Sequence, residues 1–121
     1  MFAITQDRTG RLLRLQLTGF WDLETVELFK AEYRRSVAAL RCPSGSHLVL
    51  ADARTASAQS QEVIGSLMRF LEGFEDKALR LAFVTDSVLV GMQARRLLSR
   101  PHLLVTDNLA EAEAYLAAPS S

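Results

Sequence analysis

An α/β fold is predicted, built on a mixed, mostly parallel sheet with an antiparallel N-terminal hairpin and four helices. The 121 residues divide into two strand-like segments and then alternating helical and strand-like segments, in the order β-β-α-β-α-β-α-β-α. Strands that alternate with helices pair in parallel through right-handed crossovers. Near-continuous apolar runs at 47–51 and 79–84 mark strands covered on both faces. An apolar fraction of 49% suits a folded chain. One domain over residues 1–118 is expected, with a disordered tail at 119–121, Pro119-Ser120-Ser121.

The elements follow in order. Phe2 to Gln6 reads as a short strand, and Asp7-Arg8-Thr9-Gly10 as a turn in which Gly10 is free to take a positive φ. Leu13, Leu15 and Leu17 alternate with Arg14, Gln16 and Thr18, the period-two pattern of a half-buried strand. Asp22 is placed to cap a helix, with Glu24 and Glu27 in its first turns. Val26, Phe29, Tyr33, Val37 and Leu40 recur at helical spacing, opposite Glu27, Lys30, Arg34 and Arg35, and Pro43 and Gly45 end the helix. His47 to Ala51 is the next strand, with Asp52 at its end and Arg54 to Ser60 as a loop. Val63, Ile64, Leu67, Met68, Leu71 and Phe74 give a second helix. Leu79 to Val84 is a strand, Val88 to Ser99 a helix, His102 to Val105 a strand and Leu109 to Ala118 a last helix.

Composition excludes several classes of function. Lys+Arg and Asp+Glu number 14 each, so the chain lacks the basic excess of a nucleic-acid or anionic-membrane binder. Cys42 is the only cysteine, which forbids an intrachain disulfide and fits a cytoplasmic location. The N-terminus lacks the apolar core of a secretory signal, and no apolar run approaches the ~20 residues that span a bilayer. The six glycines form no dinucleotide or phosphate-binding loop. No HExxH, paired-cysteine or GxSxG pattern is present, and His47 and His102 stand alone, so neither a metal nor another cofactor is implied.

Two features invite a binding role. Val84-Thr85-Asp86-Ser87 is echoed by Val105-Thr106-Asp107-Asn108, each at a strand-to-helix junction. These are N-cap turns in the plainest account. With Asp52, the residues Asp86 and Asp107 would also stand near the carboxyl ends of parallel strands, where α/β sheets bind ligands. A receiver-type metal and phosphoacceptor site is not matched, because the first strand lacks an acidic pair and Thr106-Asp107 stands where a lysine belongs. The second feature is an apolar excess on two helices. Leu67, Phe70 and Phe74 on one, and Leu89 and Met92 on the other, are candidates for an interface or an apolar pocket. Arg95, Arg96 and Arg100 cluster near the end of the third helix, where they suit its dipole or an acidic partner.

Several segments resemble the SpoIIAA-like, STAS-type domains of anti-sigma-factor antagonists and the small bacterial SpoIIAA-like proteins, which are related in structure to CRAL-TRIO lipid-binding domains. They are Leu17-Thr18-Gly19-Phe20-Trp21-Asp22, Leu48-Val49-Leu50-Ala51-Asp52, Leu81-Ala82-Phe83-Val84 with Met92-Gln93-Ala94-Arg95-Arg96, and Glu111-Ala112-Glu113-Ala114-Tyr115-Leu116. The resemblance spans about residues 2–118. It implies a non-catalytic regulatory module that binds a protein partner or itself as a homodimer. The CRAL-TRIO relation implies a small apolar or lipid-like ligand as the alternative. In the antagonists a serine opening the second helix is phosphorylated. Ser60 is the nearest match here, but the Asp before it has become Gln59 and the Ser-Gly after it Gln61-Glu62. Ser60 is equally suited to cap that helix.

Overall fold

β1 (Phe2–Asp7) and β2 (Leu12–Gly19) form the expected antiparallel hairpin in a computed structural model that describes residues 1–118. The tail expected at Pro119-Ser120-Ser121 lies outside the described residues. After the hairpin come α1 (Leu23–Leu40), β3 (Leu48–Ala56), α2 (Gln61–Gly73), β4 (Arg80–Val84), α3 (Val88–Leu97), β5 (Leu103–Thr106) and α4 (Leu109–Ala117). The sheet runs β1-β2-β3-β4-β5, and every pairing from β2 onward is parallel.

That order determines where the helices go. Each parallel step moves one strand in the same direction, so crossovers of one hand fall on one face. Val26 and Phe29 of α1, Val63 and Leu67 of α2, and Val90 and Ala94 of α3 share a single core with Leu13, Val49 and Phe83 of the sheet. Only α4 covers the other face, where Ala112 and Leu116 meet Leu50, Ala82 and Val84. Successive residues of β3 therefore alternate between the two cores, which explains why its sequence looks apolar throughout.

Within the main core an unbroken line of rings runs from the hairpin to the end of α2. Phe2, Trp21, Phe29, Tyr33, Phe70 and Phe74 contact one another in sequence at centroid distances of 5.3–6.0 Å. Tilted and edge-on pairs at such distances add to simple area burial. Gly19, at φ +75°, turns β2 toward Trp21 in a left-handed conformation that a side chain would strain.

Local details depart from the sequence expectations. In the hairpin turn the positive φ falls on Arg11 and not on Gly10, whose N–H is instead bound by the Asp7 carboxylate at 3.1 Å. β3 continues to Ala56, so Asp52 lies inside the strand and Arg54 to Ala56 are not loop. The inward residue of that extension is Ala53, fully buried but too small to write a strong period-two pattern. α1 ends on Arg41 in the left-handed region, before Pro43 is reached.

His47, immediately before β3, is completely buried, and neither ring nitrogen has a hydrogen-bond partner. Nδ1 lies 3.6 Å from Asp76 Oδ1, an oxygen already bound by Ser44 Oγ and the Gly45 N–H. Burial depresses the His47 pKa, opposed by the Asp76 charge and reinforced by Arg100. The folded chain thus keeps His47 neutral where an unfolded chain, titrating near pH 6.5, begins to protonate. The stability that this contributes is complete above that pH and is lost as the pH falls below it. The unfolding free energy from urea titrations should therefore drop between about pH 7.5 and pH 5.5. His47→Leu should flatten the dependence in that window, and an equal slope in the variant would assign it to other groups.

Candidate functional site

The carboxyl edge of the parallel strands is organised by Gln59, in the β3–α2 loop. Its Nε2 donates to the carbonyls of Gly19 (3.0 Å) and Ser57 (2.7 Å), while its Oε1 accepts from the Trp21 N–H at 2.7 Å. Its backbone exchanges two bonds with the side chain of Gln93 on α3: Gln59 N–H to Gln93 Oε1 at 2.8 Å, and Gln93 Nε2 to Gln59 O at 2.9 Å. The Ser57 N–H also donates to Gly19 O. One residue thus ties the β2–α1 turn, the β3–α2 loop and α3 together. Nothing in the sequence points to this clasp, since Gln59 and Gln93 are 34 residues apart and belong to no periodic pattern.

Ser60, next to the clasp, caps α2. Its Oγ accepts from the Val63 N–H at 3.2 Å, and Glu62 lies in the first turn. The hydroxyl is half-buried at a helix N-terminus, where the free N–H groups favour an anion and the nearby Glu62 carboxylate disfavours one.

The three strand-associated carboxylates do not form one site. Asp52 faces the α4 side of β3 and is held by Arg54 in a two-point contact, Nε to Oδ1 at 2.9 Å and Nη2 to Oδ2 at 2.7 Å. The Arg54 hydrogen bond lowers the Asp52 pKa and keeps the carboxylate ionised. Asp86 and Asp107 are exposed on the rim of a cleft of about 250 Å³ between the ends of β4 and β5, with Arg95 on its wall. The repeat around them is a capping device. Thr85 Oγ1 and Thr106 Oγ1 accept from the N–H two residues on, and Ser87 and Asn108 cap α3 and α4. Among the described residues no group of three or more His, Cys, Asp or Glu side chains is arranged to hold a metal ion.

The apolar candidates divide between the two helices. Leu67 and Phe70 are buried in the main core, and Phe74 packs against it. On α3 the excess is on the surface: Leu89 is 57% and Met92 60% exposed, beside Val88 at 79%. Phe20, one residue before the clasped Trp21, is also exposed. Beneath α2 and α3 lie two small apolar hollows of about 70 and 80 Å³. Both are lined by Leu17, Trp21, Leu67, Phe83 and Leu97. The first opens beside Gln59 and Gln93.

Solved structures share this architecture. A protein of the DUF3478 family with a SpoIIAA-like fold, from Shewanella loihica PV-4, superposes with a TM-score of 0.76 over 96% of this chain and 94% of its own, at 15% identity. The anti-sigma factor antagonist SpoIIAA in its unphosphorylated form superposes with a TM-score of 0.66 over the full length of both chains, at 16% identity. The chain therefore has the SpoIIAA-like fold. No protein-family model matches it, and no curated protein is similar to it in sequence. No helix among the described residues is long and apolar enough to cross a membrane.

Gln59→Ala should destabilise the chain by about 1–3 kcal/mol, because it orphans the Trp21 N–H in a part-buried setting and removes one of the two bonds to the Gly19 carbonyl. Gln93→Ala should cost less on its own. In urea denaturation the double variant should lose less than the sum of the two, and strict additivity would mean that the clasp does not act as a unit.

Proposed function

We propose that the chain is a non-catalytic, cytoplasmic regulatory module that works by protein–protein contact, in the manner of anti-sigma-factor antagonists. The observation that carries this reading is the surface of α3. Val88, Leu89 and Met92 are apolar side chains that the core leaves outside, beside the loop that ends in Ser60. Exposed apolar side chains grouped on one element are the usual material of a contact surface, and methionine adapts well to a partner's shape. The SpoIIAA-like fold supports the same reading. Ser60 stands where a phosphate would add charge to this surface and change partner affinity. The partner is a different protein or a second copy of the chain.

The test compares wild type with Leu89→Glu/Met92→Glu by sedimentation and by affinity capture from the native host. The expected result is a complex or dimer that forms with wild type and is lost in a variant that keeps its circular dichroism and melting profile. A wild type that stays monomeric and recovers the same proteins as the variant would overturn the proposal.

The two apolar hollows support a second reading, a carrier or sensor of a small apolar ligand. A single apolar cavity of ~150 Å³ stays dry and admits a molecule the size of benzene, and each hollow is about half that size. The Gln59 and Gln93 side chains at the mouth are already paired, so a guest there gains from apolar contact alone. Native mass spectrometry of gently purified protein should then retain a small adduct that Ala94→Leu, which narrows the first hollow, removes. Spectra of the bare chain alone would count against this reading.

A further inference from the structure

At the opposite, amino-terminal edge of the parallel strands lies a larger pocket of about 440 Å³, formed where the α2–β4 and α3–β5 connections meet. Pockets that hold small molecules run to roughly 300–1,000 Å³, so this one is large enough to serve. Its apolar wall includes Leu71, Phe74, Leu81, Leu97, Leu98 and Pro101. Its polar groups are Tyr33, Glu72, Asp76, Lys77, Ser99 and Arg100.

Most of these polar groups are committed. The Asp76 carboxylate accepts from Ser44 and Gly45, and the Lys77 ammonium donates to the terminal carbonyls of α2 at Leu71 and Glu72. Two groups are not. The Tyr33 side chain is packed among Phe29, Phe70 and Phe74 and is 5% exposed, yet its hydroxyl has no hydrogen-bond partner among the described residues. Among the described residues the fully enclosed side-chain polar atoms without partners are those of His47, so the Tyr33 hydroxyl is not sealed in; Tyr33 lines this pocket and also the second hollow. Arg100 spends Nε on the Pro101 carbonyl and Nη2 on the Ala78 carbonyl, which fixes the guanidinium and leaves Nη1 free of bonds to the described residues.

We infer that this pocket binds a small monocarboxylate with an apolar body, its carboxylate held between the Tyr33 hydroxyl and the Arg100 guanidinium. A fixed guanidinium and a neutral phenol are both donors, and together they satisfy the two oxygens of a carboxylate. Burial pushes the phenol pKa up to about 12, so the group remains a donor throughout the physiological range. Charge selects a monoanion over a phosphate dianion. Arg100 and Lys77 are matched by Asp76 and Glu72, so the lining carries no net positive charge and a dianion is disfavoured more than a monoanion held by the single Arg100 contact. The six apolar wall residues would be poorly used by an ion without a hydrocarbon part. The inference is separate from the regulatory reading and from the ligand of the two hollows, although the pocket borders one of them through Leu81, Leu97 and Leu98.

The full chain, labelled with nitrogen-15, is titrated with hexanoate, 1-hexanol and inorganic phosphate. Hexanoate should shift the amides of Lys77, Ala78 and the 98–102 segment to saturation, with 1-hexanol and phosphate much weaker there. Arg100→Gln should weaken hexanoate at least about tenfold and Tyr33→Phe about fivefold, since both bonds are charge-assisted but only the arginine donor is itself charged. Tyr33→Phe keeps the ring packing, so it remains a valid test if Arg100→Gln fails to fold. Hexanoate that does not saturate, or that binds Tyr33→Phe as tightly as wild type, overturns the site. Equal binding of hexanoate and 1-hexanol would also overturn it, by placing the molecules in the apolar hollows instead. Phosphate that binds more tightly than hexanoate would overturn the monocarboxylate assignment.

Discussion

Parallel pairing in the order β2 to β5 obliges every crossover to step the same way across the sheet. Three helices consequently share one face and a single helix is left for the other. Much of the molecule follows from that asymmetry. The three-helix face must be filled by side chains from several elements, and the line of six aromatic rings runs through that core among its aliphatic residues. Where Ala53, Ala56 and Ala94 line the wall the first hollow remains, and the second lies against Trp21, Phe29 and Tyr33 of the ring line. The opposite face, covered by α4 alone, needs only a handful of aliphatic residues.

The two ends of this layered arrangement are built differently. At the carboxyl edge, polar side chains are consumed in holding loops: Gln59 and Gln93 clasp three elements, Ser60, Ser87 and Asn108 cap helices, and Arg54 neutralises Asp52. That edge exposes apolar side chains on α3 and, around the cleft between β4 and β5, the carboxylates of Asp86 and Asp107. At the amino edge, a buried histidine, a tyrosine hydroxyl and a fixed arginine lie around or behind an open pocket, and some of their bonding capacity is unspent. Neutral overall charge conceals this division.

Ser60 and Asp52 show how far a site can be read from residue order. Ser60 was legible as a helix cap because capping is a local bond between neighbours, and the structure has that bond. Its relation to Gln59 and through it to Trp21 and Gln93 was not legible, because those contacts join residues 34 and 38 apart and leave no periodic trace. Asp52 was expected at a strand end, but β3 pairs on with β2 as far as Ala56, and pairing depends on the neighbouring strand more than on the strand's own composition. The apolar excess of the second and third helices was legible as a total, whereas its division into core on α2 and surface on α3 was not.

By itself the sequence determined the order of the elements, the caps of α1 and α2, the inward faces of β2 and α1, and the two-sided burial of β3. These depend on periodicity and on bonds between near neighbours, which any reading along the chain can detect. Only the tertiary structure decided which apolar residues remain outside, how Gln59 is spent, and that Tyr33 and Arg100 face one pocket from α1 and the α3–β5 loop. Those outcomes depend on how separate elements pack and on which polar groups find partners at that moment, a property of the assembled sheet and helices that no single segment carries.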